Sequence, residues 1–83
     1  MRNVKVFIPK NTDYYAFGSD VPYSTETAYY TTVQVEEENI DNEQLIKHLA
    51  KPNLQKTIAK MEFFAIERWQ YIDISIVDLR IIK

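Results

Sequence analysis

The sequence predicts a small α+β domain in which strands and helix follow in the order β-β-α-β. Three observations lead to this prediction. Two segments in the first half and one at the C-terminus alternate apolar and polar residues, as half-buried strands do. Between them, apolar residues recur at helical spacing around a proline. A chain of 83 residues supports one core, so we interpret residues 1–83 as a single compact domain.

The first strand is predicted over residues 3–8 and ends at Pro9. Val4, Val6 and Ile8 share one face of it and are expected to point into the core. Residues 10–25 are rich in turn formers and predict a long connection with a short extended piece near residues 14–17.

A second strand is predicted over residues 28–37. Its expected core face carries alternate residues, namely Tyr29, Thr31, Val33 and Val35. Asp41 is the predicted N-cap of the helical region that follows. Pro52 lacks an amide donor, so we expect it to break this region into a kinked pair of helices. A three-stranded, mostly antiparallel sheet would then carry the helix pair on one face.

The C-terminal run from Tyr71 to Lys83 alternates clearly but changes phase near Ile76 and Val77. A β-bulge at that point would keep the apolar residues on both sides of it buried. The alternative is a strand buried on both faces, either in the sheet centre or in an oligomer interface. The preceding stretch from Phe63 to Trp69 is ambiguous, because a longer helix and an extra strand both fit its apolar run.

Composition excludes several classes of protein. The chain has no cysteine, so it has neither disulfides nor a thiolate metal site, and a reducing, cytoplasmic location is expected. No apolar run is long enough to cross a bilayer, and no cofactor motif is present. His48 is the one histidine, and the sequence offers it no obvious nucleophile or orienting carboxylate. We therefore expect a protein that is not an enzyme and binds no cofactor or metal.

Charge is sorted along the chain. Residues 11–46 hold eight acidic residues and no lysine or arginine, and they also hold five of the six tyrosines. Exposed aromatic side chains are typical of protein interfaces, and carboxylates favour approach to a basic surface. We therefore predict a set of aromatic and acidic partner contacts, formed by Tyr14, Tyr15, Phe17, Tyr23, Tyr30, Glu36, Glu37, Glu38, Asp41 and Glu43.

These features favour a non-enzymatic protein-binding module whose partner has a basic surface. One form of this hypothesis is a small acidic inhibitor of the phage or mobile-element type, which occupies a nucleic-acid-binding surface on its target; that form rests on analogy alone.

Two alternatives use other parts of the chain. Residues 47–60 reverse the charge pattern and carry four lysines, which would let an accessory domain bind nucleic acid directly: Lys47, Lys51, Lys56 and Lys60. The chain is acidic overall, which opposes this reading. The second alternative is a structural subunit that forms homo-oligomers through its C-terminal strand or an uncovered sheet face.

Overall fold

The computed structural model describes residues 1–62 and 64–82 and has six strands and one long helix. The strands are β1 (Arg2–Ile8), β2 (Asp13–Ala16), β3 (Tyr23–Ser24), β4 (Tyr29–Val35), β5 (Ile72–Asp73) and β6 (Arg80–Ile82), and the helix is α1 (Glu43–Met61). Short 3₁₀ turns lie at Glu37–Asn39, Ile66–Tyr71 and Ile76–Asp78. The fold is α+β, but it contains more strands than the predicted β-β-α-β order.

The main sheet is antiparallel, with strand order β4-β1-β6. β1 pairs with β4 along its whole length, from Arg2 opposite Val35 to Ile8 opposite Tyr29. The predicted core face is confirmed, because the alternate apolar residues of β1 and β4 are buried and α1 packs over them. The helix has five fully buried side chains, Ile46, Ala50, Leu54, Ile58 and Ala59. Each large apolar side chain buried there stabilises the fold by roughly 1.5–3 kcal/mol.

A second antiparallel sheet has strand order β3-β2-β5, and its strands β2 and β3 lie in the segment predicted as a long connection. The side chain of Thr25 stabilises the end of this sheet that lies next to Pro9. The buried Thr25 hydroxyl donates to the Pro9 carbonyl at 2.8 Å and accepts the Thr12 amide at 2.9 Å. Asn11 takes a positive φ of 64°, which its short polar side chain tolerates. The connection is therefore an ordered strand pair rather than a loop.

Helix α1 differs from the prediction at both its start and its middle. Its N-cap is Asn42, not Asp41, because the Asn42 Oδ1 accepts the Leu45 amide at 3.2 Å. The predicted kinked pair is not confirmed: one helix runs through Pro52. Ala50 and Leu54, on either side of the proline, are completely buried against the sheets. Tertiary packing of this kind outweighs the single hydrogen bond that proline removes.

The C-terminal part of the chain passes from the second sheet to the main sheet near Ile76, where the alternation of apolar residues changes phase. Ile66–Tyr71 is 3₁₀ structure with a non-helical backbone at Arg68, so neither the longer helix nor the extra strand is formed there, and Phe63 lies outside the described residues. The interruption near Ile76 is confirmed in position, but it is a 3₁₀ turn rather than a bulge. Because β5 and β6 join different sheets, Ile74 and Leu79 are both buried across it.

In the part of the chain that the structure describes, no helix combines the length and the apolar content needed to cross a bilayer.

Candidate functional site

Four aromatic rings form a cluster beside the C-terminal end of α1, which we call the aromatic patch: Phe17, Tyr23, Phe64 and Tyr71. Phe64 is its centre, with ring centroids 5.5 Å from Phe17 and 5.4 Å from Tyr23. Tyr71 lies 6.2 Å from Phe17. These spacings lie in the favourable range for aromatic pairs. Phe17 and Tyr23 are each 43% exposed and Tyr71 is 61% exposed, so the patch presents aromatic surface to solvent.

Phe17 reaches this surface from a strained turn. Its φ is 56° and that of Gly18 is 73°, and the Ser19 amide donates to the Ala16 carbonyl at 3.1 Å across them. Two successive positive φ values are typical of a type I′ turn, which favours asparagine or glycine at the position of Phe17. A bulky residue there costs roughly 1–2 kcal/mol. The fold therefore tolerates an unfavourable backbone conformation at a residue whose aromatic ring is half exposed.

An open cleft adjoins the patch. Its volume is ≈ 580 Å³, and it is lined by Phe17, Gly18, Arg68 and Tyr71. The Phe17 amide donates to the Tyr71 carbonyl at 3.1 Å, which fixes the turn against the 3₁₀ segment. Two rings beside an exposed guanidinium have the composition of energetically important contacts in protein interfaces.

The carboxylate of Glu62 anchors the patch to the helix. Glu62 is the C-cap of α1, and its Oε2 accepts the Tyr29 hydroxyl at 2.8 Å. Its Oε1 accepts the Tyr14 hydroxyl and the Glu26 amide, each at 3.3 Å. The Tyr14 ring in turn stacks on Tyr23 with centroids 5.6 Å apart. One side chain thus connects the helix end, both sheets and the base of the patch.

The two tyrosine hydroxyls at Glu62 are held in their neutral form. Burial, followed by the Glu62 charge, raises the pKa of Tyr14 well above its ordinary value. Burial and the hydrogen bond to Glu62 raise the pKa of Tyr29 to about 12. Both shifts favour the protonated phenol, which is the form able to donate to the carboxylate.

We predict that the protein loses stability in alkali because of these shifts. As the pH rises from 10 towards 12, the unfolded chain releases phenolic protons that the folded protein retains, so the free energy of unfolding falls. Each tyrosine lowers it by about 1.4 kcal/mol per pH unit inside this window, and the contribution is intact below pH 10. Urea unfolding at several pH values measures the slope, which Tyr29→Phe should reduce. Equal slopes for the two proteins would contradict the prediction.

The predicted aromatic contacts lie in different parts of the structure. Phe17 and Tyr23 lie in the patch, whereas Tyr14 is 2% exposed and has no surface to offer a partner. Tyr15 lines the cleft beside His48 and a second cleft with Gly18 and Tyr71, and Tyr30 stacks on Phe7 in the main sheet. The five predicted aromatic contacts therefore do not share one surface. The sequence reasoning missed Phe64, Arg68 and Tyr71, because their ambiguous segment gave no sign that it folds back onto the Phe17 turn.

The predicted acidic contacts are exposed but lie at the other end of α1. Glu36, Glu37, Glu38, Asp41 and Glu43 precede or begin the helix, while the aromatic patch surrounds its C-terminal end. A helix of 19 residues is about 28 Å long. Arg2 forms an ion pair with Glu37 at 3.3 Å, with both side chains mostly exposed. The aromatic and acidic residues are therefore two separate surfaces.

The four lysines do not form a stripe. Lys47 and Lys56 are nine residues apart in one continuous helix. Nine residues make about two and a half turns, so the two side chains leave the helix in opposite directions. Lys47 and Lys51 thus lie on the opposite side of the helix from Lys56 and Lys60. Lys56 also has its Nζ 4.8 Å from the centroid of the Trp69 ring.

His48 lines a polar cleft of ≈ 540 Å³ together with Tyr15, Lys51 and three aspartates, Asp13, Asp73 and Asp78. Within residues 1–62 and 64–82, no group of three or more histidine and acidic side chains is placed to hold a metal ion. The same residues include no hydrogen bond from the His48 imidazole to a carboxylate or hydroxyl.

No protein-family model matches the chain, and no curated protein or solved structure is significantly similar to it.

Proposed function

We propose that this protein is a non-enzymatic protein-binding module and that the aromatic patch, with Arg68, is its main contact surface. The half-exposed ring of Phe17 carries the proposal. A left-handed backbone at a phenylalanine is unfavourable, and strain of this kind clusters at functional sites, including ligand-binding ones.

The neighbours of Phe17 support the same role. The rings of Phe64 and Tyr71 both pack against it, so the Phe17 ring needs little further ordering when a partner binds. Rigid aromatic side chains give a large contact area at a small loss of conformational entropy. The adjoining cleft would receive a side chain of the partner between Tyr71 and Arg68.

The acidic turn, residues 36–43, supports a second candidate. Five of its eight residues are acidic and exposed. A basic surface on a target protein would be attracted to this end of the molecule, as in an inhibitor that replaces nucleic acid in a basic groove. In this candidate the contact surface is the turn, and the aromatic patch remains free.

Two substitutions of Phe17 separate binding from stability. We expect Phe17→Asn and Phe17→Ala to abolish partner binding equally, because both remove the ring. Asparagine tolerates the left-handed backbone better, so Phe17→Asn should be more stable than Phe17→Ala by about 1 kcal/mol. Affinity capture from a nuclease-treated lysate, with quantitative mass spectrometry, compares binding, and urea unfolding compares stability.

The control is Tyr30→Thr, which removes a ring that is 51% exposed on a different surface and should leave capture unchanged. A glutamine variant of Glu36, Glu37 and Glu38 tests the second candidate in the same assay. Capture that survives both Phe17 changes but disappears in the glutamine variant would reject the aromatic patch in favour of the acidic turn.

A further inference from the structure

The main sheet has one face covered by α1 and one face that no other described element covers. The side chains on this open face belong to the residues that alternate with the buried residues of each strand. The strand register places these exposed residues in rows that run across the sheet. Tyr30, Phe7 and Arg80 form one row, and Thr32, Lys5 and Ile82 form the next. Tyr30 is 51% and Ile82 45% exposed.

The open face combines aromatic rings with cations. Phe7 and Tyr30 are stacked, with centroids 5.5 Å apart and ring planes 26° apart. Lys5 has its Nζ 5.2 Å from the centre of the Tyr30 ring. Arg80 stands opposite Phe7 on the other neighbouring strand. Neither Lys5 nor Arg80 forms an ion pair with a carboxylate in the described part of the chain.

The two rows contain no acidic residue, although the whole chain has a net charge of −2. Glu36 is the nearest acid along β4, beyond Gln34 and at the end of the face farthest from the aromatic row. The two rows therefore carry two cations and no carboxylate in an acidic protein, and Asp41 lies at the edge of the face, in a cleft with Asn3 and Ile82. The charge of the two rows complements a polyanion, and their rings complement flat, uncharged groups.

We propose that this open face binds single-stranded nucleic acid. A base would continue the Phe7–Tyr30 stack, while Lys5 and Arg80 contact the phosphates on either side of it. Stacking on aromatic side chains and cationic contacts to the backbone are the two interactions by which such sites bind single strands. A duplex, whose bases are already stacked, would gain only the phosphate contacts.

The test is titration of the protein into a fluorescent oligothymidylate at several salt concentrations, followed by anisotropy. Two cations predict a slope of log K against log [salt] of about −1.4, since each phosphate neutralised on a single strand contributes about −0.7. Lys5→Gln and Arg80→Gln should each reduce the magnitude of the slope by about 0.7. Tyr30→Thr should weaken binding about 5- to 150-fold and leave the slope unchanged.

Lys60→Gln is the matched control, because it removes the same charge from an exposed position on α1 and should leave binding unchanged. Thermal unfolding establishes that each variant is folded, and Lys5→Gln tests the proposal even if Tyr30→Thr unfolds. Absence of binding by the folded wild type would overturn the proposal. Equal losses in Lys60→Gln and Lys5→Gln would also overturn it. So would chemical shifts of Tyr30 and Ile82 that depend on protein concentration but not on the oligonucleotide, since a second copy would then cover the face.

Discussion

Replacing Glu62 with alanine is expected to lower the free energy of unfolding by about 3 kcal/mol. The carboxylate accepts hydrogen bonds from the Tyr14 and Tyr29 hydroxyls and from the Glu26 amide. Without it the two phenols lose their acceptor at positions largely screened from water. Each such loss costs roughly 1–3 kcal/mol, and we use the lower half of this range because Glu62 is itself partly exposed.

A carboxylate at the C-terminal end of a helix is unfavourable by up to about 1 kcal/mol, so the hydrogen bonds must exceed this penalty for Glu62 to stabilise the fold. Glu62→Gln keeps an acceptor and should lose only about 1 kcal/mol. The matched control is Glu67→Ala, an exposed acid of the neighbouring 3₁₀ segment, with an expected change within about 0.5 kcal/mol. Urea unfolding measures all three. If Glu62→Ala and Glu67→Ala are equally stable, Glu62 is not an anchor.

Replacing Pro52 with alanine is expected to raise the free energy of unfolding by about 2 kcal/mol. Proline in a helix interior is about 3 kcal/mol less favourable than alanine, because it lacks a donor for the carbonyl four residues earlier and its ring crowds that carbonyl. Part of this gain is lost, since proline also restricts the unfolded chain by about 0.4–1 kcal/mol. The continuous helix on both sides of Pro52 lets the new amide reach the His48 carbonyl.

Asn53→Ala is the control for this experiment, because it changes helix propensity at the adjacent exposed position without adding a donor. Thermal and urea unfolding should both show Pro52→Ala well above Asn53→Ala in stability. An equal or smaller gain at position 52 would mean that packing of the proline ring compensates for the missing hydrogen bond.

The sequence pattern predicted those parts of the fold that depend on residues close together in the chain. Strict alternation at Val4, Val6 and Ile8 identified a buried strand face, and the phase change near Ile76 located an interruption. Pro52 misled because its effect depends on what the rest of the helix buries, which is a tertiary property. The extended piece predicted near residues 14–17 corresponds to β2, but its pairing with β3 was missed, because Thr25 stabilises this pair through contacts that are distant in sequence.

The candidate site was predictable only in part for the same reason. Tyrosine and phenylalanine are recognisable in the sequence as candidate interface residues. Whether each ring is exposed depends on how its strand pairs and packs, which the sequence does not show. Tyr14 and Tyr15 are neighbours on one strand, so one points inward and the other outward. Phe64 and Tyr71 meet Phe17 only because the chain turns back after α1.

The pairing of β1 with β6 has a consequence for how the chain folds. Lys5 lies opposite Ile82, so the central strand of the sheet is completed by residues almost the full length of the chain away. Contacts of such large sequence separation form slowly, since most of the loop closure entropy is lost before they form. During synthesis β1 therefore has one unpaired edge until residues 80–82 have been made. This edge is where we expect a newly made chain to be most prone to pair with the wrong strand.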